Sequence, residues 1–162
     1  MALTTAQLTT LRNDIAADPA FADIPKDPNN SDGAFFVAAQ YNKQAVPDFT
    51  VWKTDVPTAD CKKAMVWTEY IGRSAGEREA WQFMLSNGTI NPSDANVRQG
   101  ILDIFSGATG ATSRANLTAI AKRLATRVEK LFATGTGSVA SPGTMAFEGQ
   151  LSYQDVLSAW GL

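Results

Sequence analysis

A run rich in Gly, Thr and Ser, residues 134–144, separates a basic segment from a C-terminal tail with three aromatic residues. Long loops without structure of their own are uncommon inside compact domains, and they are usually functional or disordered. Phe147, Tyr153 and Trp160 lie beyond this run. Burying one aromatic side chain stabilises a protein by about 1.5–3 kcal/mol. We therefore expect the tail to dock, either back on its own domain or on a partner protein.

The alternation of apolar with polar residues from Met145 onwards favours docking on a partner. The sequence thus predicts two parts, a helical domain over residues 1–133 and a flexible linker with a C-terminal docking arm over residues 134–162. Ser152 and Asp155 are placed to begin a short terminal helix, because both favour the first turn of a helix. The residues predicted to contact the partner are the apolar and aromatic ones of this arm: Phe147, Leu151, Tyr153, Val156, Leu157 and Trp160.

The remainder of the chain follows helical patterns separated by Pro and Gly. Ser74 and Glu77 form a capping box motif, Asn91 before Pro92 is typical of a helix start, and Thr4 can cap the first helix. One alternating stretch, residues 49–53, is too short to indicate a sheet protein. The sequence therefore predicts an all-α fold, a compact helical bundle of about five or six helices with an extended C-terminal arm and a short terminal helix.

The longest predicted helix covers residues 113–133 and would be about 30 Å long. Its segment 111–133 carries five basic residues and one acidic residue, whereas residues 1–60 carry eight acidic and four basic ones. The basic side chains could form a solvated face, contact DNA phosphates, or form salt bridges to a neighbouring subunit. The residues proposed for the subunit interface are Arg114, Lys122, Arg123, Arg127 and Lys130.

Composition indicates that this protein is not an enzyme. The chain has no histidine, which excludes Ser-His-Asp and Cys-His catalytic sites and most zinc sites. Its one cysteine, Cys61, is typical of a small core residue, and no glycine motif has phosphate-binding spacing. We expect no catalytic residues, no cofactor and no metal. No run of 18 apolar residues and no signal peptide are present, so we expect no membrane partner and synthesis in the cytoplasm.

The four tryptophans divide into two groups. Trp67 and Trp81 lie at helical positions among apolar residues, which predicts that both belong to the core. Trp52, between prolines, and Trp160, near the end of the chain, fit that pattern less well. Because tryptophan is enriched at interfaces, we expect these two to be the better interface candidates.

Four segments span most of the chain: LTTAQLTTLRNDIAADPAFADIP, NNSDGAFFVAAQYN, PDFTVWKTDVP and RLATRVEKLFATGTGSVASPGTMAFEGQLSYQDV. Together they resemble a family of small virion proteins encoded among the head and neck genes of tailed bacteriophages. The resemblance implies a structural protein of the virion neck, assembled in the host cytoplasm. It also implies a head-to-tail adaptor, a helical protein that forms a ring of twelve copies beneath the portal, with a C-terminal arm that reaches into the portal.

The partners that this resemblance implies are the portal protein, a tail or stopper protein, further copies of the chain, and channel DNA in nonspecific contact. An alternative function is that of a small DNA-binding or packaging-associated phage protein that uses the basic segment 113–133. The two functions differ in the expected ligand, which is a portal ring for the adaptor and duplex DNA for the alternative.

Overall fold

The computed structural model of the protein describes residues 3–162. Its helices are α1 (Thr5–Ala17), α2 (Asp32–Tyr41), α3 (Thr58–Ala64), α4 (Trp67–Ile71), α5 (Ala75–Met84), α6 (Ala95–Ile104), α7 (Ala111–Ile120), α8 (Arg127–Phe132) and α9 (Tyr153–Trp160). Two short 3-10 helices cover Pro19–Phe21 and Ala108–Gly110. The strands are β1 (Thr50–Trp52), β2 (Val56–Pro57), β3 (Thr89–Ile90), β4 (Lys122–Leu124), β5 (Ala133–Thr134) and β6 (Thr144–Met145).

The all-α prediction is wrong. The chain is 53% helical and 12% strand, and it contains three small antiparallel sheets. Each sheet has two strands, and the pairs are β1 with β4, β2 with β3, and β5 with β6. Strands this short give no alternating pattern long enough to be recognised in a sequence, and they form because distant backbone segments pair.

The chain forms two compact units. Unit 1 consists of the residues up to Phe49 together with Leu124–Leu162, and unit 2 consists of Thr50–Arg123. Unit 2 is therefore an insertion between two sequence-distant parts of unit 1. This division differs from the predicted boundary between residues 133 and 134, which falls inside strand β5.

The predicted basic helix over residues 113–133 is two helices with a strand between them. Helix α7 ends at Ile120, β4 follows, and α8 begins at Arg127. A capping box starts α8, since the Thr126 hydroxyl accepts from the Glu129 amide while the Glu129 carboxylate accepts from the Thr126 amide. The motif T-x-x-E is a recognised start signal. The apolar spacing of 3 and 4 residues across the break concealed it.

Other predicted caps are confirmed. Thr4, Ser74 and Ser152 each form a capping box with the residue three positions later. The predicted cap at Asn91 is wrong, because α6 begins three residues later with Asp94 as its N-cap. The Asn91 side chain instead accepts a hydrogen bond from the Ser93 amide at 3.0 Å. Asn91 therefore forms the turn that leads into the helix.

Unit 1 is built around α1, α2, α8 and α9. Leu11 and Ile15 of α1 and Val37 and Tyr41 of α2 are buried in one cluster. Val128 and Phe132 of α8 and the C-terminal tail belong to the same cluster. Unit 1 thus draws its core from the first and the last quarter of the chain.

Unit 2 has a separate core made by α3, α5, α6 and α7. Trp81 is its largest fully buried side chain, and the Trp81 ring meets the Phe105 ring edge to face at 5.2 Å. Cys61, Ile101 and Leu117 complete the centre. The predicted core position of Trp81 is confirmed.

The Gly/Thr/Ser run forms a hairpin loop between β5 and β6, in which Ala133 pairs with Met145 and Thr134 with Thr144. Two of its glycines are buried against the Phe49 ring. A Cβ atom on Gly137 would lie 2.1 Å from that ring, and one on Gly143 would lie 2.6 Å from it. Gly137 also has a φ of +66°, which residues with a side chain rarely adopt. The loop therefore packs against unit 1 at positions where only glycine fits.

Candidate protein-binding surfaces

The six tail residues predicted to contact a partner lie together, on unit 1 of their own chain. Phe147, Leu151 and Val156 are buried in the unit 1 core. Tyr153, Leu157 and Trp160 are partly buried and pack against the same cluster. Of the two alternatives for the tail, the structure shows docking on its own domain. The predicted portal contact remains a prediction, with only the last three side chains partly accessible in this conformation.

Polar contacts hold the tail as well as apolar ones. The Asn42 amide group donates to the Leu151 carbonyl at 2.9 Å and accepts from the Leu151 amide at 2.7 Å. The buried Glu129 carboxylate accepts from the Gly149 amide at 3.3 Å. The Arg12 guanidinium donates to the Ala159 carbonyl near the end of α9. Such side-chain bonds satisfy backbone groups that an extended segment would otherwise leave unpaired.

One aromatic contact of the tail lies at the surface. The Tyr153 ring stacks on the Phe35 ring of α2, with centroids 4.2 Å apart and planes 27° apart. Phe35 is itself exposed, so this stack leaves aromatic area open to solvent. It is the part of the tail that a partner could contact without unfolding unit 1.

The five basic residues predicted for the subunit interface have separate surroundings. Arg114 donates to the carbonyls of Phe105 and Gly107, and Lys130 donates to the carbonyl of Pro47. The Lys122 ammonium lies 5.2 Å from the Trp52 ring centroid. Lys122 and Arg123 lie on strand β4, and Arg127 begins α8. These residues do not share one helix face, because the predicted helix is divided.

Arg127 lies at the centre of a charged network within unit 1. Its guanidinium contacts the Asp14 carboxylate at 3.0 Å and the Asp18 carboxylate at 2.7 Å. It also lies over the Tyr41 ring at 4.3 Å, and the Tyr41 hydroxyl donates to Asp14. The predicted attraction between the acidic N-terminal region and the basic segment therefore operates inside the subunit for this residue.

The network shifts the pKa values of its members. The Ala20 amide and then Arg127 hydrogen-bond the Asp18 carboxylate and lower its pKa. Burial, followed by the bond to Asp14, raises the pKa of the Tyr41 hydroxyl. Asp18 thus remains ionised and Tyr41 remains neutral over the physiological pH range. This arrangement satisfies charges rather than poising a group for proton transfer.

A cleft of about 790 Å³ opens above this network in unit 1. Its apolar lining includes Phe21, Phe36, Val46 and Leu131, and Lys43 is among the charged residues of the lining. Val46 is 90% exposed. The mixture of apolar and charged groups is typical of surfaces that bind protein segments.

Unit 2 carries the largest exposed aromatic side chains. Trp67 is 64% exposed and Phe83 is 79% exposed. Ile71, four residues after Trp67 on α4 and hence on the same helix face, is 53% exposed. The predicted core position of Trp67 is wrong. The apolar periodicity that suggested it runs across the junction between α3 and α4, where neither Gly nor Pro indicates a break.

The two tryptophans predicted as interface candidates are half-buried in their own units. Trp52 contacts two cations of unit 2, since the Arg98 guanidinium lies 4.8 Å from its ring centroid and Lys122 lies beside the same ring. Trp160 packs against the unit 1 core, and its indole nitrogen is buried without a hydrogen-bond partner. Trp67 is thus more exposed to a partner than either candidate.

A carboxylate that the sequence did not indicate caps α7 in unit 2. Glu69 of α4 accepts from the amides of Ser113 at 2.7 Å and Thr112 at 3.1 Å. Ser113 in turn accepts from the Val66 amide at 2.9 Å. The bonds from Ser113, and then those from Thr112, lower the pKa of Glu69 to about 2. The contact joins residues more than forty positions apart, so no local motif could predict it.

We expect this carboxylate to make unit 2 acid-sensitive. A lowered pKa in the folded state adds stability at pH values above 4.5, the ordinary value, and this stability is lost as the pH falls towards 2. Melting temperatures measured by circular dichroism from neutral to acidic pH should therefore fall steeply in that window. In Glu69→Gln the neutral-pH melting temperature should be lower and this part of the fall should be absent. The exposed Glu79→Gln serves as a control, and an unchanged profile in Glu69→Gln would contradict the assignment.

Cys61 and the acidic residues show no arrangement for reactive chemistry. Burial and then the charge of Asp60 raise the pKa of the Cys61 thiol to about 11, so the thiol is protonated at neutral pH. Among residues 3–162, no three His, Cys, Asp or Glu side chains lie together as metal ligands would. No helix in that range has the length and apolarity needed to cross a bilayer. A comparison with protein-family models, curated proteins and solved structures found no match to the chain.

Proposed function

We propose that this protein is a structural component of a virion, a head-to-tail adaptor that forms a ring beneath the portal and joins the capsid to the tail. The sequence resemblance to phage neck proteins supplies the assembly. The observation that carries a protein-contact role is the exposed face of α4, formed by Trp67 and Ile71. The proposed partners are the portal protein, a tail or stopper protein and neighbouring copies of the chain.

The α4 face has the properties of an interaction hot spot. Trp67 contacts the Tyr70 ring at 5.4 Å, which holds the indole in place while most of its surface faces solvent. Tryptophan is enriched among the residues that dominate binding energy at interfaces. An ordered and exposed Trp beside an exposed Ile therefore supports docking of another protein on this face.

The tail contributes less surface to a portal than its sequence suggests. Because Phe147, Leu151 and Val156 are core residues of unit 1, the proposed portal contact through the tail uses Tyr153 with its Phe35 stack. The DNA-binding alternative required a continuous basic helix over residues 113–133. The division of that segment removes the basis for this alternative.

We expect the wild-type chain of 17.3 kDa to bind a purified portal ring in size-exclusion chromatography with light scattering. The double variant Trp67→Ala with Ile71→Ala should bind the ring at least about tenfold more weakly, since hot-spot residues contribute about 2 kcal/mol or more. Its melting temperature should change little, because both side chains are exposed. Leu102→Ala, which removes an exposed apolar side chain from α6, is the matched control and should bind normally.

Two results would contradict the proposal. A wild-type chain that fails to associate with the portal ring would remove the adaptor function. Equal weakening by Leu102→Ala and by the double variant would show that binding does not depend on the α4 face.

A further inference from the structure

A second cleft, of about 450 Å³, lies within unit 2 and is lined mainly by basic and small apolar residues. Lys53, Lys63 and Lys122 line it, and Asp60 is the one carboxylate among its described lining residues. The three lysines come from different parts of the sequence, after β1, within α3 and within β4. The fold therefore brings together three positive charges that no sequence motif connects.

The charges of this lysine cleft are only weakly compensated. The Lys63 ammonium lies 3.3 Å from the Asp60 carboxylate, and both side chains are more than half exposed. Ion pairs this exposed contribute little, so a bound anion can replace the carboxylate. Lys122 contacts the Trp52 ring, and the Arg98 guanidinium contacts that ring too. A cation over an aromatic ring keeps its full charge, so Arg98 adds a fourth cation beside the cleft.

The distribution of charge between the units points in the same direction. Unit 2 contains nine Lys and Arg residues against seven Asp and Glu residues, whereas unit 1 contains five against nine. A chain with a net charge of −2 thus concentrates its positive charge in one unit. A concave surface lined by charges of one sign raises the local concentration of ions of the opposite sign.

We propose that the lysine cleft binds the phosphodiester backbone of a nucleic acid without reading its sequence. Lysine ammonium groups bind phosphates as point charges. The apolar floor, which includes Ala64, Ala119 and Ile120, offers no side-chain hydrogen-bonding groups that could recognise base edges. The proposal goes beyond the adaptor function and does not depend on it.

The test is the salt dependence of binding between the full chain and a fluorescently labelled duplex, measured by anisotropy from about 50 to 200 mM salt. Each phosphate contact adds about 0.9 to the slope of log K against log salt concentration. We expect Lys53→Gln with Lys63→Gln to lower that slope by nearly two. The matched control, Lys26→Gln with Lys43→Gln, makes the same change in net charge within unit 1 and should leave the slope unchanged.

Three outcomes would overturn the proposal. The wild type could fail to bind the duplex at the lowest salt concentration. The control could lose as much of the slope as the cleft variant, which would assign the effect to net charge. Polyglutamate could compete as strongly as unlabelled duplex, which would assign the cleft to an acidic protein. Failure of portal binding would leave this proposal intact, and the reverse also holds, because the two assays share neither ligand nor variant.

Discussion

Deletion of residues 145–162 will prevent unit 1 from folding. The deleted segment supplies β6 and the buried side chains of Phe147, Leu151 and Val156. Burial of each such side chain stabilises by about 1.5–3 kcal/mol. Their combined loss is comparable with the total stability of a typical domain, about 5–15 kcal/mol. Backbone amide spectra and calorimetry of the truncated chain should show the loss of native unit 1 signals.

A graded variant makes this expectation quantitative. Leu151→Ala should lower the free energy of unfolding by about 2–5 kcal/mol, as other buried Leu to Ala substitutions do. Gln154→Ala, at an exposed position of α9, should have little effect and is the control. A truncated chain that kept its melting temperature would mean that the tail is not part of the core, and would return it to the docking-arm hypothesis.

Replacement of Arg127 by Glu will destabilise unit 1 strongly. The substitution removes the cation that Asp14 and Asp18 share and places a third carboxylate beside them. Removing one partner of a buried ion pair costs about 3–5 kcal/mol, and the partial exposure of this network reduces that value to about 2 kcal/mol or more. Chemical denaturation monitored by circular dichroism measures the change.

Two controls separate the network from net charge. Lys26→Glu makes the same change in net charge at an exposed position of unit 1 and should be nearly neutral. In a double-mutant cycle, Arg127→Gln and Asp18→Asn should be less destabilising together than the sum of their separate effects. Strict additivity would show that the two residues do not interact. Because of this intrachain role, Arg127 is also unsuited to a charge-reversal test of ring formation.

Local signals in the sequence predicted local structure well. The hydroxyl of Ser74 and the carboxylate of Glu77, three residues apart, specify a helix start by contacts within one turn, and the structure contains that start. Ser152 and Asp155 do the same for α9. Thr126 and Glu129 carry the same motif, so the start of α8 could also have been predicted from sequence. A continuous apolar spacing outweighed it in the prediction.

The short strands and the candidate surfaces depend on contacts between distant residues. Strand β4 forms by pairing with β1, some seventy residues earlier, so its sequence alone is compatible with a helix. Trp67 has the same apolar character as Trp81, yet one side chain is exposed and the other is buried. Which of the two faces solvent is decided by how the helices pack, which periodicity along one helix does not specify.

The sequence by itself determined where most helices begin, the absence of histidine, and the apolar character of the tail, because each is a property of neighbouring residues. Only the tertiary structure decided that the tail docks on unit 1, where the Asn42 side chain bonds to Leu151. It also decided that Arg127 pairs within its own chain and that three separated lysines line one cleft. These outcomes depend on which complementary groups the folded chain brings within hydrogen-bond or van der Waals distance, and sequence separation carries no information about that distance.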